Sequence, residues 1–217
     1  MSSLPQDRIL EDARAMIRRE GAATAGVAEQ LDASFVAAVS LLLGCSGKVL
    51  VAGSGTSGAV ARRMAHLLSV CGTPSLFLHP MDALHGSLGA LSESDVVIVI
   101  SKGGSSTEVN DFALRAQERG ARVLSLTARK DSTLGRLADV SVQVVAHHDA
   151  DPGGVIAMGT SLAVSVWGDA LAVTLMRLRG YSWADVLFAH PAGAVGQIVE
   201  TPDELAPLDA SALTGED

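Results

Sequence analysis

Two clusters of glycines and hydroxyls stand out as residues whose types and spacing can do chemistry. The first is Gly53-Ser54-Gly55-Thr56-Ser57-Gly58 and the second is Ser101-Lys102-Gly103-Gly104-Ser105-Ser106-Thr107. Each follows an apolar run and precedes a segment of helical character. Backbone N–H groups in the first turn of a helix lack intrahelical acceptors and carry the positive end of the macrodipole. A glycine loop that lets an anion approach them is therefore suited to phosphate. Ser57, Ser101 and Ser106, with the N–H groups of Gly103 and Gly104, are the expected phosphate ligands, and Ser54 belongs to the same loop as Ser57. Lys102 would add a counter-charge or stand as a surface lysine. Thr56 and Ser105 are placed to touch the ligand that carries the phosphate. Because Ser and Thr also cap helices, the hydroxyls alone do not establish a phosphate site, but two such loops in one sheet make coincidence a weaker explanation.

The spelling Gly53-x-Gly55-x-x-Gly58 also fits a dinucleotide site, which needs an acidic residue at the end of the next strand. That strand ends in His79-Pro80, with Asp82 only nearby. The hydroxyls within the loop favour a small phosphorylated ligand instead.

The elements that must position these loops alternate. Strands are expected at Val49 to Ala52, Ser75 to Leu78, Asp95 to Ile100, Arg122 to Thr127 and Val140 to Val145. Helices are expected between them, near 59–68, 108–119 and 133–138. The order predicts an α/β fold with a doubly wound, parallel, five-stranded sheet flanked by helices, whose ligand crevice lies at the carboxyl ends of the strands. An N-terminal helical pair precedes it. One helix is opened by Pro5 and stopped near Gly21; the other spans 22–43, with Val27, Leu31, Phe35 and Val39 on one face. Late in the chain come a long apolar helix, Val155 to Met176, and a shorter one, Ser182 to Ala189. The long one has the length of a membrane span, but Asp169, Gly159 and its hydroxyls favour a buried helix of a soluble protein.

Composition narrows the function. The 217 residues carry a formal net charge of −8, which disfavours a nucleic-acid partner. Hydrophobic residues make up 48% and aromatic ones 3%, so the core must be built from Ala, Val and Leu, and subunit interfaces are a natural place for surplus aliphatic surface. After Gln197 come Glu200, Asp203, Glu204, Asp209, Glu216 and Asp217 with no basic residue. Residues 1–199 therefore read as a single domain and 200–217 as an acidic, disordered tail. Cys45 and Cys71 have no metal or redox spacing and are expected as buried, reduced thiols. With no secretory signal at the N-terminus, a cytoplasmic location is expected.

These residues resemble a known family. Gly53-x-Gly55-x-Ser57, Ser101 to Ser106 and the late His190-Pro191-x-Gly193 are similar to a sugar isomerase (SIS) domain. The closer likeness is to the arabinose-5-phosphate isomerase branch, through His79-Pro80, His85-Gly86-x-Leu88-Gly89 and Asp131-Ser132-Thr133-Leu134-x-x-Leu137-Ala138-Asp139. It spans about Asp7 to Val199. The resemblance implies an aldose–ketose isomerase that works on an open-chain sugar phosphate through an enediol, with no cofactor and no metal. A homotetramer with shared active sites is implied too. The C-terminal regulatory pair common in that branch is expected to be missing, since the chain stops first. Typical members carry a lysine where this chain has Thr56 and a glutamate where it has Ser105.

The resemblance selects His85 and His190 as proton-transfer groups, with His190 entering a neighbouring subunit's site. The alternatives are a loop histidine that holds its own glycine-rich turn and a helix-end cap fixed by Pro191. Glu108, at a helix start where the dipole alone favours a carboxylate, and Asp149, where the branch has a glutamate, are the candidate carboxylate bases. His147 and His148 beside Asp149 and Asp151 hint at a metal, but adjacent histidines on irregular backbone seldom converge on one ion without further ligands. A non-catalytic sensor of phosphosugars is the competing reading.

Overall fold

The computed structural model describes residues 6–209; Pro5, Glu216 and Asp217, which enter the expectations above, lie outside them. Five strands form one parallel sheet: β1 (Val49–Ala52), β2 (Ser75–Phe77), β3 (Val96–Ile100), β4 (Arg122–Thr127) and β5 (Val140–Gln143), in the order β2-β1-β3-β4-β5. Strand order reverses between β1 and β3, where Ala52 lies beside Val99. The two glycine–hydroxyl loops therefore leave the sheet side by side at its switch point.

Apolar residues run continuously through β1 and β3 because both faces of the sheet are covered. Val49, Val51, Ile98, Ile100, Leu124 and Leu126 point to one side and pack against α2 (Ala33–Leu43), α3 (Gly55–Val70) and α7 (Met158–Arg179). On the other side Leu50, Ala52, Val97, Val99 and Val123 meet α4 (Pro80–Leu84), α5 (Thr107–Glu118) and α6 (Thr133–Leu137). The core is aliphatic, as the composition requires, apart from Phe112 on the second face and Trp167 on the first. Trp167 stands edge-on to Phe35, 5.4 Å between ring centroids.

The N-terminal helices break at a different place from that expected. The first helix, α1 (Gln6–Ala25), runs through Gly21, where a glycine is tolerated. The break falls at 26–32, and Asp32 restarts the chain by accepting the N–H of Ser34 at 2.8 Å. Residues 22–25 therefore belong to α1, and the chain bends by 80° between the two helices.

α7 is long and apolar enough to cross a membrane, but Trp167, Leu171 and Leu175 are buried against the sheet, so it is a core helix of this domain. The last element, α8 (Trp183–Phe188), opens with a capping box between Ser182 and Asp185. Residues 201–209 form no helix or strand, yet Trp183 Nε1 donates to the carbonyl of Asp203 at 3.0 Å and Arg177 Nε to that of Ala206 at 2.7 Å. Cys45 and Cys71 are unpaired and half-buried rather than fully buried; burial pushes the Cys71 thiol up.

Candidate functional site

The first loop is held by close backbone packing. A Cβ on Gly53 would lie 2.9 Å from the Ser57 carbonyl, and one on Gly58 would lie 2.7 Å from the Gly53 oxygen. Only glycines let the end of β1 and the first turn of α3 approach this closely, and Gly55 adopts φ +57°. Ser54 stands at the N-cap of α3 but makes no capping bond, and its buried Oγ has no protein partner. Buried hydroxyls are normally satisfied, so this oxygen is an exception within the loop. Thr56 is exposed and Ser57 half-buried beside it.

The second loop spends its polar groups on itself. Ser101, 6% exposed, accepts the N–H of Gly104 at 3.2 Å, and the Gly104 carbonyl accepts the N–H of Leu134 at 3.0 Å. Gly104 has φ +61°, and Ser132 fills the space a Cβ would need. Ser101 and the Gly104 N–H, both expected as phosphate ligands, are thus committed to bracing the loop. Gly103, Ser105 and Ser106 remain exposed. Ser106 N-caps α5 without a side-chain bond.

Lys102 is neither a free surface lysine nor an isolated counter-charge. Its ammonium is 2.6 Å from Asp151 Oδ2 and 3.3 Å from the Gly154 carbonyl. Asp151 is 5% exposed and also accepts the Thr160 N–H at 2.9 Å and the Thr160 hydroxyl at 2.5 Å. Burial alone would raise this carboxyl, but the bonds from Lys102 and Thr160 outweigh it and hold it below the usual carboxylate range. Below Lys102, Thr127 Oγ1 donates to the Lys102 carbonyl at 3.2 Å. The cleft that results lies between α3 and α7 at the strand ends, holds a cavity of about 20 Å³ and opens to solvent. Its polar lining comes from Thr56, Ser57, Lys102, Thr127, Thr160 and Ser161. That arrangement can hold an anion and several hydroxyls.

Asp151, Thr127, Thr160 and Ser161 are site residues that the sequence reading missed. Asp149 and Asp151 lie two apart on irregular backbone, and only the fold decides that Asp151 turns inward. Asp149 is exposed, paired with His147 and His148.

The remaining candidates do not converge within one chain. His85 is exposed at the end of α4, on the same edge of the sheet as the loops, and Glu108 lies in the first turn of α5. His190 follows α8. That helix begins beyond α7, whose 22 residues run about 33 Å away from the cleft to Arg179, which binds the Leu42 carbonyl at 2.8 Å. His190 Nδ1 is 2.8 Å from the Val186 carbonyl, a helix-end contact. Among the described residues, no hydrogen bond or ion pair links His190 to His85, Glu108, Asp149 or either loop.

A family model described as "SIS domain" matches residues 42–174. Arabinose 5-phosphate isomerase KdsD of Shigella flexneri is 36% identical over 185 residues, 82% of this chain and 56% of the relative. The chain thus spans less than two thirds of that relative's length. A Listeria monocytogenes protein, described provisionally as a sugar-phosphate isomerase, matches in structure with a TM-score of 0.84 at 30% identity, over 88% of this chain and 100% of its own. E. coli CFT073 c3406, solved in complex with A5P, matches with a TM-score of 0.83 at 31% identity, over 87% of this chain and 100% of its own.

Proposed function

The chain belongs to the SIS-domain family, and from that premise we propose that it isomerises an open-chain sugar phosphate between aldose and ketose. The observation that carries this reading is the Lys102 ammonium, fixed by buried Asp151 in a hydroxyl-lined cleft at the switch point of the sheet. A fixed cation among hydroxyls suits a phosphate, and the neighbouring Thr56, Ser57, Thr160 and Ser161 suit a polyol. Gly53, Gly55, Gly103, Ser105 and Ser106 belong to the two loops that follow β1 and β3 and are assigned to ligand binding with them.

Isomerisation removes the proton on the carbon beside the carbonyl, passes through an enediol and returns a proton to the adjacent carbon. His85 is assigned to this transfer, with Glu108 and Asp149 as the carboxylates within reach of the same edge of the sheet. His190, whose side chain contacts the Val186 carbonyl, would act in a neighbouring subunit's cleft. A homotetramer is the assembly we assign. Apolar side chains left exposed on α1 (Ile9, Leu10, Ile17) and at the entry to α7 (Val155, Ile156, Met158) supply surface for such contacts. We assign it to the cytoplasm, where membrane-impermeant sugar phosphates are made and consumed. The likeness to KdsD and to the A5P complex supports a pentose phosphate as the first substrate to test.

The test is proton exchange in deuterated water, followed by NMR, against pentose, hexose and heptose phosphates. Deuterium beside the carbonyl of one sugar, lost in His85→Ala, supports the reading. If no sugar is labelled while some still raise the melting temperature, the chain is a phosphosugar sensor. That reading is favoured by Thr56 and Ser105, which stand where catalytic lysine and glutamate are typical of the resembling enzymes.

A further inference from the structure

Outside the cleft, the turn between β5 and α7 gathers three ligand atoms of the kind that hold borderline divalent metals. One ligand atom each from His147, His148 and Asp149 lies within 4.8 Å of the others. Asp149 sits between the two rings: Oδ1 is 2.8 Å from His148 Nε2 and Oδ2 is 3.6 Å from His147 Nδ1. A 3-10 turn over His148–Ala150 folds the carboxylate back onto the imidazoles, whose centroids are 4.5 Å apart. The adjacent histidines that the sequence argued against therefore do converge, because the turn supplies the third ligand.

From these distances we propose that His147, His148 and Asp149 form a binding site for a borderline divalent cation, Zn²⁺ being the type ion, with water in the fourth position. Tetrahedral Zn²⁺ with N and O ligands at about 2.0–2.1 Å sets them roughly 3.4 Å apart. The separations of 2.8 and 3.6 Å run to two different oxygens of Asp149, and the three ligand atoms lie within 4.8 Å of one another, so the side chains must rotate to bring one carboxylate oxygen and both ring nitrogens to that spacing. Two imidazoles and one carboxylate select Zn²⁺ over Mg²⁺ or Ca²⁺, which require oxygen ligands. All three side chains are more than half exposed, and among the described residues no other hydrogen bond or ion pair engages them. An ion can thus enter without opening the fold. The surface hollow alongside, lined by Arg19, Asp151, Pro152 and Gly154 as well as by His148 and Asp149, has room for the water. The three ligands exclude Lys102, but the hollow beside them is lined by its partners Asp151 and Gly154, and metal binding is independent of the isomerase assignment given to Asp149.

The test is calorimetric titration of the full chain with Zn²⁺, with Co²⁺ as the spectroscopic substitute. The expected result is one equivalent of Zn²⁺ bound. His147→Ala and His148→Ala should each weaken it by at least about tenfold, the scale on which even outer-shell partners act. The double variant should lose both this event and the visible absorption of tetrahedral Co²⁺, while His66→Ala, an exposed histidine on α3, keeps them. Because the positions are exposed, the metal-free melting temperature should stay that of wild type, and Zn²⁺ should raise it only where the histidines remain. An unaltered Zn²⁺ isotherm in the double variant, or no Zn²⁺ binding by wild type, overturns the assignment.

Discussion

At the edge of the sheet where the strands begin, Lys48 Nζ lies 2.7 Å from Asp95 Oδ2; where they end, Lys102 Nζ lies 2.6 Å from Asp151 Oδ2. The two pairs are built alike. The aspartates are 1% and 5% exposed, the lysines 33% and 37%, and each carboxylate also accepts backbone N–H groups. What differs is the surroundings. Asp95 accepts the N–H groups of Lys48 at 2.9 Å and Ser92 at 2.8 Å, so it clamps the entries to β1 and β3 together, and a Cβ on Gly47 would collide with it. Asp151 instead holds its lysine at the lining of a cleft that hydroxyls share. A buried ion pair is thus not in itself a mark of function. Its place relative to the direction of the strands separates a clamp from a ligand site.

The largest expected effect is on the clamp. Asp95→Ala leaves two backbone N–H groups and an ammonium without their acceptor and should lower stability in urea by about 3 kcal/mol, the lower end for a broken buried pair since Lys48 can rehydrate. Activity per folded molecule should be unaffected. Next, Lys102→Met should lower kcat/KM for the sugar phosphate by about 10²-fold, near 2.7 kcal/mol, with a smaller loss in urea than Asp95→Ala. If both variants lose stability and activity in the same proportion, the distinction between the pairs fails.

Acid sharpens the contrast. Burial would raise the Asp95 carboxyl, but bonds from Lys48 and Ser92 bring it down to about 2. A depressed folded value means that the contribution is complete above the unfolded pKa, near 3.9, and is lost as pH falls through about 2. The urea-midpoint gap between wild type and Asp95→Ala should therefore be full at pH 5 and shrink between pH 4 and 2. Smallest of all, Ser101→Ala should cost about 1 kcal/mol, the value of one hydrogen bond, and should weaken substrate binding only modestly, because its hydroxyl braces the loop. A loss matching that of Lys102→Met would return Ser101 to the ligand set.

Much of the architecture was legible in the sequence. Apolar runs bounded by glycine or polar turns located all five strands, and their alternation with helical segments required parallel order. Arg122 to Thr127 was read to the residue. The N-terminal helices were misread because Gly21 looks like a stop, whereas the break at 26–32 rests on the turn before Asp32 and on packing that no local pattern displays. In the site, the glycine loops were visible because close backbone approach leaves glycine as the only choice. Which hydroxyls face the cleft was not: Ser101 and Ser57 look equivalent in sequence, yet one is tied to Gly104 and the other lines the cavity.

The sequence by itself determined that two phosphate-sized loops end strands of a parallel sheet, since strand periodicity, glycine placement and helix starts are local properties. Only the tertiary structure decided that Asp151 rather than Asp149 turns inward to hold Lys102, and that His147, His148 and Asp149 face one another. It also decided that His190 Nδ1 meets the Val186 carbonyl at the end of α8. Those choices depend on turns without regular periodicity and on contacts between residues as many as 49 positions apart, as for Lys102 and Asp151, and such contacts exist only once the chain has packed.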